Sequence, residues 1–188
     1  MKKILISLIS LIILTACVST RYSYYPVSSY GINKISISAG LISEEDENSP
    51  VEYIGISDVR SNVDEPHKVK ILSSSIKIID KNKEYIVKTN PKSGYIYIYK
   101  QGVVITDDFK TYIGKVQLDD GTIIDIPPLS FKKNVYVESY NPVTDTINAG
   151  RRTKRLFNGT IEEYKEYKKQ KKLSQKFILK WIKVIKKK

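Results

Sequence analysis

The chain predicts a mainly β fold, an antiparallel β-sandwich with a partly open barrel as the alternative, followed by a C-terminal cationic amphipathic α-helix. Three observations carry this expectation. From Ile32 to Tyr140, short segments with period-two patterning alternate with turn residues, and no long helical period interrupts them. Ile, Val and Tyr are conspicuous in a composition that is 41% hydrophobic, a bias that suits pleated, half-buried surfaces. Near the carboxyl end the apolar spacing changes to a helical period, with lysine crowding the polar side. Without residues 1–16 the 188-residue chain is the size of one domain with an appendage, and such a chain buries on the order of 70% of the surface its unfolded form exposes.

Taken in order, residues 1–16 read as a removable leader and residues 17–31 as a tether rich in Ser, Tyr and Thr. The tyrosines there, Tyr22, Tyr24, Tyr25 and Tyr30, suit either a lipid interface or packing on the domain edge. Residues 32–141 form the expected sandwich. Its strands are read near Ile32–Ala39, Val51–Val59, Lys68–Leu72, Ser75–Ile79, Glu84–Lys88, Tyr95–Lys100, Val103–Thr106, Tyr112–Leu118, Thr122–Ile126 and Asn134–Tyr140. Asp120-Gly121, between two alternating runs, supplies the positive φ angles of a tight hairpin over Lys115–Ile126. A second hairpin is expected across Asp80–Lys83, and residues 142–159 read as a connector.

A helix is expected over residues 160–188. Thr160 and Glu163 have the spacing of a capping box, in which each side chain satisfies a backbone N–H at the helix start. At 100° per residue, Leu173, Phe177, Ile178, Trp181, Ile182, Val184 and Ile185 share one half of the wheel, and Lys176, Lys180, Lys183 and Lys186 the other, with Leu179 the exception. Lys165/Lys169, Lys168/Lys172, Lys172/Lys176 and Lys176/Lys180 are like-charge pairs at i,i+4, each costing a few tenths of a kcal/mol, roughly, so the isolated helix is marginal. Something must hold its apolar face: its own β-domain, an anionic membrane or envelope polymer, or the groove of a partner protein. On an anionic surface, Trp181 inserts while Lys165, Lys168, Lys169, Lys172, Lys176, Lys180 and Lys183 meet the anionic groups.

Charge is concentrated at this end. Residues 18–150 carry 15 Lys or Arg against 17 Asp or Glu, whereas residues 151–188 carry 15 against 3. The overall net charge of +12 therefore belongs to the tail.

The address comes from the other end. Lys2 and Lys3 precede an apolar run from Ile4 to Leu14, too short to span a bilayer as a permanent helix, and Leu14-Thr15-Ala16-Cys17 closes it. This segment resembles the signal peptide and lipobox of bacterial lipoprotein precursors. The resemblance covers residues 1–17 alone. It implies cleavage before Cys17, a covalent lipid on its thiol as the only attached group, and a membrane partner through that lipid. At about 0.8 kcal/mol per buried methylene, two or more acyl chains hold a protein on a membrane almost permanently. Val18 in place of an inner-membrane Asp signal favours the outer membrane, where a cell has two. A cell-envelope address makes nucleic acid an unsuitable partner for the basic tail. Anionic lipid, glycolipid or cell-wall polymer remain, together with an envelope protein.

Motifs for catalysis are weak. Cys17 is the only cysteine, so lipidation leaves no thiolate for a nucleophile, a disulfide or a metal site. His67 is the only histidine, and no Gly-x-Ser-x-Gly elbow accompanies it. Glu44-Glu45-Asp46-Glu47 and Asp107-Asp108 lack the staggered spacing that wraps a calcium ion, so no metal is expected. Tyr95, Tyr97 and Tyr99 alternate with Ile96 and Ile98. This places three rings on one sheet face, outward, as an aromatic platform for a glycan or peptide if that face is open, or as cross-strand packing if it is closed.

These readings lead to a non-enzymatic, lipid-anchored envelope protein acting as a binding or scaffolding module. The alternatives are a structural envelope subunit whose helix packs on its own β-domain, and an enzyme using carboxylates alone.

Overall fold

The structure, a computed structural model, describes residues 19–28, 34–60, 68–140 and 154–185. It is mainly β: β1 Ser19–Ser28, β2 Ile35–Leu41, β3 Val51–Asp58, β4 Val69–Ile71, β5 Ser75–Asp80, β6 Lys83–Lys88, β7 Tyr95–Tyr97, β8 Phe109–Tyr112, β9 Gly114–Leu118, β10 Ile123–Ile126, β11 Leu129–Tyr140 and β12 Lys154–Thr160. One helix, α1 Ile161–Ile185, follows. The strands form three sheets, in the orders β1-β11-β8-β5-β6 with β12 also on β11, β10-β9-β4, and β2-β3-β7. Open, antiparallel sheets of this kind are the sandwich class and not a closed barrel.

Two compact units divide the chain, residues 23–134 and the two ends, 1–22 with 135–188. In the central unit inward and outward positions alternate along most strands, including residues 109–111 and 129–133, which lie outside the strands expected from the sequence. Ile76, Ile78, Val87, Phe109, Leu129 and Phe131 of the first sheet are buried, and Phe109 stacks on its cross-strand partner Phe131 at 4.7 Å. Ile71, Val116 and Leu118 serve the second sheet in the same way, and Ile54, Ile56 and Ile96 the third.

Four expectations are corrected. Tyr112–Leu118 is not one strand: Gly114 at φ 84° turns the chain so that β8 and β9 belong to different sheets. Val103–Thr106 keeps its alternation, with Val103 and Ile105 buried, yet forms no ladder. The Ile105 carbonyl instead accepts the Val51 N–H at 2.8 Å. Ser19–Ser28, read as tether, is strand β1, and Lys154–Thr160, read as connector, is β12.

Both hairpins are present. Asp80 pairs with Lys83 around Lys81 at φ 53°. In the β9–β10 hairpin only Gly121 has positive φ, 83°, rather than Asp120 and Gly121 together. Its N–H donates to the Leu118 carbonyl at 3.0 Å and the Leu118 N–H to the Thr122 carbonyl at 2.9 Å. This is a three-residue loop ending in a left-handed glycine, a geometry that follows the strand twist as well as the two-residue turn does.

Candidate binding surfaces: a basic helix and an aromatic sheet face

The start of α1 is built as its sequence dictates. The Thr160 N–H donates to Glu163 Oε2 at 2.8 Å and the Glu163 N–H to Thr160 Oγ1 at 3.2 Å, the reciprocal capping box. An aromatic cluster then docks the first two turns. Tyr164 is buried, with ring centroids 5.1 Å from Phe157 of β12, 6.1 Å from Tyr167 and 6.2 Å from Tyr22 of β1. Phe157 also lies 5.3 Å from Tyr167, and Lys168 Nζ sits 4.5 Å over the Tyr164 ring.

Beyond this cluster the helix changes character. Every residue from Lys168 to Lys176 is exposed, and Leu173, the first residue of the expected apolar stripe, is 55% exposed. The reason is angular: Leu173 is nine residues on from Tyr164, half a turn around at 100° per residue, so it cannot share that contact. Lys165, Lys168, Lys169, Lys172 and Lys176 all face water. Among the described residues one of these five, Lys169, has an ion-pair partner, Glu166 one turn earlier. Lys180, Trp181 and Lys183 belong to α1, and their side chains lie outside the described residues, as do those of the rest of the stripe beyond Leu173. Among the described residues no helix is long and apolar enough to cross a membrane.

The second surface is the outer face of β2-β3-β7. Ile96 and Ile98 are buried while Tyr95, Tyr97 and Tyr99 are 50%, 41% and 45% exposed, the orientation the alternation predicts. The platform itself differs in membership. Tyr99 leaves the sheet in a single 3-10 turn, Tyr99–Gln101, and Tyr53 of β3, opposite Tyr97, takes its place. Tyr53 meets Tyr95 edge-on at 5.4 Å and Tyr97 at 6.3 Å, while Tyr95 and Tyr97 stack at 6.4 Å. Gly40 on β2 admits the Tyr53 ring: a Cβ there would lie 2.5 Å from a ring carbon. Lys100 Nζ sits over the Tyr97 ring at 4.3 Å, so that ring is engaged by the protein's own lysine as well as by its tyrosine neighbours. Only sheet register reveals Tyr53, which is why alternation within one segment misses it.

Elsewhere the charges build structure. Lys133 stands at an inward position of β11 and is buried. Its ammonium donates to the carbonyls of Glu47, Ser49 and Thr106, tying the acidic 44–50 loop to the segment before β8. Desolvation holds its pKa below the ordinary lysine value, against the opposing pull of Asp107, Glu47, Asp46 and Asp108. Asp107 is lowered chiefly by its hydrogen bond from Lys81, at 2.7 Å. Arg60 forks onto buried Asp58, with Nη2 2.6 Å from Oδ2, and reaches Asp120 at 3.2 Å, fastening the end of β3 to the β9–β10 turn. Among the described residues no group of three or more His, Cys, Asp or Glu is gathered for a metal ion. Leu14, Thr15, Ala16, Cys17 and His67 lie outside the described residues.

No protein-family model matches the chain, and neither the curated proteins nor the solved structures contain a match.

Proposed function

We propose that the chain is a lipid-anchored, non-enzymatic protein of the cell envelope, a binding or scaffolding module held to the membrane through acylated Cys17. In this reading its Lys-rich helix contacts an anionic surface. The observation that carries it is the exposed stretch Lys168–Lys176, where lysines surround an exposed Leu173 directly after a docked helix start. A docked base and an unburied basic extension suit a helix whose later turns are available to a surface. Each lysine at such a surface contributes about 1 kcal/mol, which falls off within a Debye length. The lipobox resemblance of Leu14-Thr15-Ala16-Cys17 supports the anchor, and the envelope address favours anionic lipid, glycolipid or wall polymer as the surface.

The structural-subunit reading draws on the aromatic cluster, since Tyr164 and Tyr167 against Phe157 and Tyr22 tie the helix base to its own strands. Co-sedimentation of residues 18–188 with anionic and neutral vesicles at low and high salt separates the two, alongside a version ending at Asn158. Salt-sensitive binding to anionic vesicles, lost with the truncation, is expected. Negligible binding by both versions favours the structural subunit.

A further inference from the structure

We propose that the outer face of β5, β8 and β11 carries a binding cleft for a phosphorylated sugar or polyol, with Lys110 and Lys132 as its phosphate-binding pair. The cleft has a volume of about 420 Å³, and its lining includes Ile79, Asp108, Lys110, Tyr112, Ser130 and Lys132. Sheet register explains the convergence. Lys110 of β8 pairs with Ile79 of β5 on one side and with Ser130 of β11 on the other, so the three side chains form one row on the outward face. Lys132 is two residues along β11 from Ser130 and shares that face, a diagonal neighbour of Lys110 at about 7 Å between Cβ atoms. Two ammonium groups on flexible stems at that separation reach the same phosphate.

Charge accounting singles out this pair. On the same face Lys77 is paired with Glu84 at 3.5 Å, and at the rim Lys81 is paired with Asp107 at 2.7 Å. Among the described residues Lys110 and Lys132 have no ion-pair partner, although both are exposed. Asp108 is turned towards the backbone, its Oδ1 accepting the Lys133 N–H at 2.8 Å. The body of the ligand is read from the remaining wall. Ile79 and the Tyr112 ring, over which Lys77 Nζ sits at 4.8 Å, offer apolar contact and the Tyr112 hydroxyl polar contact, a mixture suited to the carbon faces and hydroxyls of a polyol. A bare phosphate uses the lysines and leaves this wall unused. The residues of the cleft all belong to the unit formed by residues 23–134.

Calorimetric titration of the full chain with glucose 1-phosphate, inorganic phosphate and glucose tests the proposal, and vesicles bearing a phosphorylated-inositol lipid separate a free source from a membrane-held one. Glucose 1-phosphate is expected to bind, inorganic phosphate more weakly and glucose not at all. The variant K110Q/K132Q is expected to weaken binding by about tenfold or more. Its thermal midpoint stays unchanged, because both side chains are exposed. The helix variant K165Q/K169Q is expected to bind glucose 1-phosphate as the parent does. Absence of binding by the parent, undiminished binding by K110Q/K132Q, equal loss in the helix variant, or inorganic phosphate binding as tightly as glucose 1-phosphate would each overturn it.

Discussion

Lys133 carries the clearest consequence at the scale of single residues. A charged side chain stands where the alternation of β11 calls for an apolar one, and three backbone carbonyls from two separate segments make that placement tolerable. Lys133→Ala leaves those acceptors short of a donor, and about 1–3 kcal/mol of stability is expected to be lost in urea unfolding. The same group imposes a pH dependence. Its folded pKa lies below the ordinary lysine value of 10.5, so between the two the unfolded chain binds more protons than the folded one. Stability contributed at this site therefore rises with pH through that window, and the rise is absent in Lys133→Ala. Neither Lys133 nor Tyr53 could be singled out from the sequence. Lys132 and Lys133 are chemically identical, and which one faces inward depends on the phase of β11; the role of Tyr53 depends on β3 lying beside β7. Tyr95 and Tyr97 were legible because buried isoleucines interleave them within a single segment.

At the scale of elements, the capping box and the aromatic cluster divide the work at the start of α1. Thr160→Ala removes the hydroxyl that accepts the Glu163 N–H and is expected to cost about 1 kcal/mol, read as a loss of helical signal on heating by circular dichroism. β3, β5, β6 and β10 were legible because β-branched and apolar residues recur at short spacing between turn residues, most regularly in β5, where Ile76 and Ile78 are buried between less buried neighbours. Besides most of β8 and the first part of β11, two whole strands were missed, each in an identifiable way. β1 is dominated by Ser and Tyr, with Arg21 and Pro26, and its burial pattern shows few buried positions, so composition concealed it. In β12, Lys154, Arg155 and Asn158 are exposed, and pairing to β11 rather than burial makes it a strand. The opposite error occurred at Val103–Thr106, where Val103 and Ile105 are buried without a ladder, because core contact does not require strand pairing.

On the scale of the whole molecule, the excess charge and the proposed anchor lie at opposite ends of the chain. The segment that resembles a lipobox ends at Cys17 and the excess of lysine lies after residue 150, so the proposed lipid anchor and the cationic helix would give two contacts with one surface. Two contacts on one chain multiply affinity when both can engage together, and the electrostatic one is the contact that salt can tune. Trp181, the only tryptophan in the chain, lies on the apolar half of the helix wheel and reports on that contact directly. The measurement is its fluorescence in residues 18–188, mixed with anionic or neutral vesicles at low and high salt, with an aqueous quencher added. The account predicts a blue-shifted emission protected from the quencher on anionic vesicles, reversed by high salt and absent on neutral ones. Emission and quenching unchanged by anionic vesicles would contradict it.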